Sequence, residues 1–159
     1  MSFKDTFENY VCLGDKISCE VNGYTVTARI AHDDTPDRPD QRQDGFWPSL
    51  IKTDAGFIGR DKTLDDFMRE QAKAQTIMDA WKADKWFYCG VILSVRIEDV
   101  ELTDHAASLW GIEANYPDSD NAYLSEVANE LLGEALSEAR KERARQCRIL
   151  CLEPSVSAA

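Results

Sequence analysis

The sequence predicts an α+β fold: a mostly antiparallel sheet in the order β-β-α-β-β-α, with two amphipathic helices packed on one face. Three observations predict it. Two alternating apolar runs flank Asn22-Gly23, one continuous apolar run covers 86–97, and residues 63–82 and 121–146 carry apolar side chains at helical spacing. Strands gathered in pairs with helices between and after them point to an α+β sandwich, not to the strict alternation of a parallel sheet. A chain of 159 residues suits one domain with one core.

Residues 1–15 read as a short N-terminal element, with Phe3, Phe7 and Tyr10 at helical spacing and Gly14-Asp15 as its stop. Ile17, Cys19 and Val21 then alternate with polar residues, and Tyr24, Val26, Ala28 and Ile30 do the same after the turn. Asn22-Gly23 suits a type I′ turn, whose two central residues both need positive φ, so a β-hairpin is expected here. Regular periodicity stops over 32–62. Pro36, Pro39, Pro48, Gly45, Gly56 and Gly59 punctuate a segment rich in Asp, Arg and Gln, which reads as a long irregular loop pinned by Phe46 and Trp47.

Thr63 is a candidate N-cap with Asp66 three residues on, and it opens a helix to about Lys82. Leu64, Phe67, Met68, Ala74, Met78 and Trp81 form its apolar stripe. Gln71 and Gln75 fall within that stripe and are expected to be satisfied core amides. The run 86–97 is β-branched, aromatic and long enough for a buried central strand. Glu98-Asp99 turns the chain, 106–113 is expected to return as an antiparallel strand, and 100–103 either starts that return or forms a wide connection. After a turn at 115–121, Leu124, Val127, Ala128, Leu131, Leu132, Ala135, Leu136 and Ala139 mark a long amphipathic helix over 121–146. Residues 147–152 read as a short final strand and 154–159 as a frayed tail.

Charge is the strongest functional signal. The window 98–138 holds eleven of the 29 acidic residues and none of the 18 Lys and Arg, so the other 18 acids balance the bases and the net charge of −11 lies in this window. A sequence pI near 4.6 argues against direct nucleic-acid binding over a broad surface and permits a basic partner. Within the window, Glu126, Glu130, Glu134 and Glu138 recur at i+4 spacing, continued by Glu142 and preceded by Asp118 and Asp120. Successive carboxylates in such a row rise by about 6 Å and drift by about 40° around the helix. Like charges at i+4 repel by a few tenths of a kcal/mol per pair. A solvated face with acids toward the helix N-terminus, favoured by the macrodipole, is the simplest use of this pattern. A surface built only for solubility mixes signs, however, and 41 residues without a base favour a docking face.

Other chemistry is poorly supported. Asp118 and Asp120 begin like a calcium loop, but Ala122 and Tyr123 stand where a ligand and the glycine are needed. His32, Asp33, Asp34, Asp37 and Asp40 read as a solvated loop, and Cys147 and Cys151 lack two further soft ligands. Cys89 lies in an apolar strand and reads as an inert buried thiol, even with His105 and Asp104 as candidate helpers. Gly59, Arg60, Lys62 and Thr63 precede a helix start and allow a weak anion site. No catalytic, metal or cofactor residue is assigned. Five cysteines without a disulfide-framework spacing, no basic-then-apolar leader pattern and no apolar run of about 20 residues lead to the expectation of a cytoplasmic protein with no membrane span.

Trp86-Phe-Tyr-Cys-Gly-Val, Ala107-Ser-Leu-Trp-Gly-Ile-Glu-Ala-Asn and Tyr123-Leu-Ser-Glu-Val-Ala-Asn-Glu-Leu-Leu132 resemble a group of small acidic proteins carried by phages, plasmids and integrative elements, over 24–138. The resemblance implies a mobile-element setting and no residue-specific role. By analogy of setting and charge, small acidic proteins of such elements mimic nucleic acid and block restriction or CRISPR machinery. The functional expectation is a non-enzymatic inhibitor that binds a basic surface of a nucleic-acid-handling host complex through Asp118, Asp120, Glu126, Glu130, Glu134 and Glu138. The alternatives are a small enzyme with its site under the 32–62 loop, using His32 and neighbouring Asp, and an accessory protein that dimerises through the Gln71/Gln75 face or an edge strand.

Overall fold

The computed structural model describes residues 2–34 and 37–152. It is α+β, with the element order β1 (Lys16–Val21), β2 (Tyr24–His32), α1 (Pro39–Arg42), α2 (Leu64–Lys82), β3 (Phe87–Ile97), β4 (Val100–Ala114) and α3 (Ala122–Leu152). Apart from the short α1, this is the β-β-α-β-β-α order. The four strands form one antiparallel sheet in the spatial order β1-β2-β3-β4. The chain divides into two compact units. One holds the N-terminal segment, the sheet from Tyr88 onward together with β1 and β2, and α3; the other spans Asp34–Phe87 and Tyr116–Asp118.

The hairpin turns as its residues require, with φ of 52° at Asn22 and 80° at Gly23. Pairing puts Val26 opposite Val95, Ala28 opposite Leu93 and Ile30 opposite Val91, so these six share one face of the sheet. All six are buried. α3 packs against β2 and β4, and the hydrogen bond from Arg143 Nη1 to the Tyr24 hydroxyl (3.3 Å) marks the β2 face it lies on. Its inward residues Leu124, Ala128, Leu132, Ala135, Leu136 and Ala139 are buried. The opposite face is more polar, and Ser18 bonds Thr27 across β1 and β2 at 2.9 Å. On that face Trp110 lies directly over Gly90, where a side-chain carbon would stand 2.4 Å from the indole ring.

The N-terminal segment is not helical. Phe3, Phe7 and Val11 are buried, whereas Tyr10 is 63% exposed. The backbone N–H of Phe3 bonds Asn129 Oδ1 (2.8 Å), that of Phe7 bonds Ser125 Oγ (2.9 Å) and that of Val11 bonds Asn115 Oδ1 (2.9 Å). Side-chain acceptors, two of them on α3, therefore satisfy every fourth donor of an irregular segment, and this imitates helical spacing. The expected final strand at 147–152 is also absent: these residues continue α3. No glycine or proline interrupts the chain between Gly133 and Pro154, and a short apolar run cannot by its pattern alone be told from helix. The expected tail at 154–159 lies outside the described residues.

In the second unit Thr63 caps α2 as expected. Its hydroxyl accepts from Asp66 N (3.2 Å) and Asp66 Oδ2 accepts from Thr63 N (2.9 Å). Met78 and Ala74 are buried, but Leu64 and Met68 are more than 60% exposed. Gln75 is exposed and bonds Asp79 at 2.8 Å, so it is not a core amide. Helical geometry explains the correction. Leu64, Met68, Gln71 and Gln75 fall within a sector of about 60°, beside the one that carries Phe67, Ala74, Met78 and Trp81. Trp86 closes the far end of the unit: its Nε1 donates to the Ile77 carbonyl (3.0 Å) and its ring meets Tyr116 edge-on at 4.9 Å.

Candidate functional site

The acidic row is carried by α3, the longest helix. Its burial against the sheet fixes the outward direction, and Glu126, Glu130, Glu134 and Glu138 are all exposed. Glu126, Glu130 and Glu134 make no ion pair or hydrogen bond among the described residues. Glu138 is paired with Lys141 at 3.2 Å. Glu142 ends the row: it is half-buried and accepts from Arg145 Nη2 (2.7 Å), Arg145 Nε (2.8 Å) and Gln146 Nε2 (3.0 Å). Those bonds hold its carboxyl down at about 2.

The two aspartates ahead of the helix are used differently. Asp120 is exposed and its Oδ1 accepts the Ala122 N–H at 3.0 Å, a local bond at the helix start. Asp118, with φ of 64°, belongs to the second unit. Between them and the helix, Asn121 is fully buried. Its amide donates to the Asn9 carbonyl and to Asn115 Oδ1, and its Oδ1 accepts from Asn115 N. This network fixes where α3 begins. The structure thus brings four of the six predicted residues together on one helix and leaves Asp118 in another unit.

The acid pattern also hides a second feature. On a helix of about 100° per residue, Lys141, Arg145 and Arg148 lie in the same outward sector of about 100° as Glu126, Glu130 and Glu134. The outward side of α3 is therefore acidic in its first half and basic in its second. Projecting the whole helix, rather than its acids, exposes this signal.

The remaining candidates separate. Cys89 is fully buried, and burial, with Asp33 and Glu113 nearby, pushes its thiol up to about 12. That is the reverse of an activated nucleophile. His105 is exposed and bonds Ser108 Oγ at 2.8 Å, and His32 stands at the end of β2 opposite Cys89. The loop in the second unit borders a cavity of about 330 Å³ lined by residues including Phe46, Ile58, Glu70, Lys73 and Tyr116, with no Cys, His or Ser in its wall. At the α2 start the Asp66 carboxylate occupies the Thr63 donors, so the anion position proposed there already carries an anion of the chain itself. Among the described residues no group of three or more His, Cys, Asp or Glu could hold a metal ion, and no helix is long and apolar enough to cross a membrane.

Comparison with known proteins adds nothing to this geometry: no family model, curated protein or solved structure matches the chain.

Proposed function

We propose that this chain is a non-enzymatic, cytoplasmic inhibitor of mobile-element type. It docks on the basic, phosphate-binding surface of a nucleic-acid-handling host defence complex, of the restriction or CRISPR kind, through the acidic row of α3. One observation carries the reading: Glu126, Glu130 and Glu134 are exposed and uncompensated on a helix whose inner side is locked in the core. The helix fixes the backbone spacing of these carboxylates before a partner arrives, so docking orders their side chains but not the chain that carries them.

The charge density supports the same reading. From Glu126 to Glu138 the helix rises by about 18 Å and presents four carboxylates. One strand of B-form DNA carries about five phosphates over that length. Lysines and arginines spaced for phosphates can therefore meet these carboxylates with similar charge-assisted hydrogen bonds. The resemblance over 24–138 supplies the mobile-element setting.

The test is capture from a nuclease-treated host lysate at about 0.1 M and about 1 M salt, where the Debye length is about 10 Å and about 3 Å. The wild-type chain is expected to retain a nucleic-acid-binding complex only at the lower salt. The variant Glu126→Lys/Glu130→Lys/Glu134→Lys is expected to keep its circular dichroism spectrum and lose that complex. Equal retention by the folded variant would overturn the reading.

A further inference from the structure

We infer that α3 is also a self-complementary surface, on which two copies of this chain pair antiparallel through their outward sides. The inference does not require the proposed inhibitory role; it names a second copy as a competing occupant of the same carboxylates. Place a twofold axis near Ser137. Glu126 then lies beside Arg148 of the second copy, Glu130 beside its Arg145 and Glu134 beside its Lys141. The same three contacts repeat on the other side of the axis, as an isologous contact requires. Parallel pairing would instead set acid against acid and base against base.

Three further features fit this occupant. First, the macrodipole does not explain the gradient of charge. Its influence falls off within the terminal turns, yet the first turn of α3 holds no acid and its last turn no base. Apart from Asp120, whose carboxylate bonds the Ala122 N–H at the helix start, the charges sit between, where a neighbouring helix would read them. Second, Gly133 is an exposed glycine inside this helix, with nothing within 4 Å of where a side-chain carbon would stand. Glycine weakens a helix interior, and the chain's own packing gives no reason for it here. One turn from Ser137, it lowers the surface where two helix backbones would approach.

Third, α3 continues for more than three turns past Ala139, its last buried residue among the described ones. Arg143 ties the first turn of this stretch to Tyr24 of β2, and a second α3 laid along the turns beyond would give them a packing partner. Lys141 is held meanwhile by a single exposed i,i+3 contact with Glu138, a weak and screened pair that can be exchanged for an intermolecular one. Arg145 grips Glu142 through two bonds and keeps its remaining N–H donors for a second carboxylate.

The test is sedimentation velocity on the full chain with two charge-reversed variants. One is Glu126→Lys/Glu130→Lys/Glu134→Lys, and the other is Lys141→Glu/Arg145→Glu/Arg148→Glu. The wild type is expected to dimerise at about 0.1 M salt, with affinity falling at least about tenfold at about 1 M salt. Each variant alone is expected to be monomeric. Mixed one to one, they are expected to form a heterodimer, because their halves become complementary again, and the six-fold reversal is expected to restore the homodimer. Heterodimer formation also shows that both variants are folded.

A monomeric wild type at low salt, a dimer that survives either reversal, or a mixture that stays monomeric would each overturn the inference. The base-reversed variant keeps Glu126, Glu130 and Glu134, so its lysate capture is expected to persist. A result against self-pairing is in this way distinguishable from a result against the inhibitory reading.

Discussion

Cys89 shows how far a single residue could be read in advance. Its place in a continuous apolar run marked it as a buried thiol, and in the structure it is fully buried and pushed up to about 12. The sign of the resulting pH effect follows. The unfolded thiol ionises near its ordinary value of 9.0, whereas the folded one does not until about 12, so Cys89 leaves stability intact below 9 and lowers it as pH rises toward 12. At neutral pH, native-state alkylation followed by mass spectrometry is expected to modify Cys12, Cys147 and Cys151, which are exposed, and to spare Cys89 until denaturant is added. Labelling of native Cys89 at the same rate would contradict its placement. Phe3 and Phe7 were harder to read. Their spacing was visible, but the acceptors that hold their backbone, Asn129 and Ser125, lie more than 100 residues away. No local pattern could report them.

At the scale of elements, local chemistry was the most legible. Asn22-Gly23 carried its own backbone requirement, and Thr63 with Asp66 announced both the start of α2 and its reciprocal bonds. Replacing Thr63 with Ala is expected to lower stability by about 1 kcal/mol, read as a shift of the denaturant midpoint at constant slope. An unchanged midpoint would mean that the cap contributes nothing. Asp66 adds a pH dependence of known direction. The Thr63 bonds hold its carboxyl below the ordinary 3.8, so its contribution is complete above that value and is lost as pH falls further.

The limits of α3 and the inner side of α2 were not legible. The helix outruns the core that would have marked its end, and on α2 two adjacent sectors are both rich in apolar residues. Only tertiary packing decides which sector turns inward. The candidate site was legible as a row of acids, because i+4 spacing is a property of one helix. It was not legible as a set of six, because Asp118 belongs to a different unit. The basic half of the same surface was present in the sequence and needed only the whole helix to be projected.

For the molecule as a whole, the net charge of −11 becomes more specific once the fold is known. The window that holds it covers the β3–β4 turn, a strand, a capping turn and the outward side of one helix. Only the helix orders its carboxylates into a regular line. If that line stands in for a strand of phosphates, nucleic acid and this protein should exclude each other from the same partner surface. The most direct measurement is competition. Host protein retained by the immobilised chain at about 0.1 M salt, where charges interact over about 10 Å, is titrated with duplex DNA. The Glu126→Lys/Glu130→Lys/Glu134→Lys variant runs in parallel. The account predicts that DNA displaces what the wild type retains and that the variant retains none of it; retention that DNA does not reduce, or that the variant shares, would contradict it.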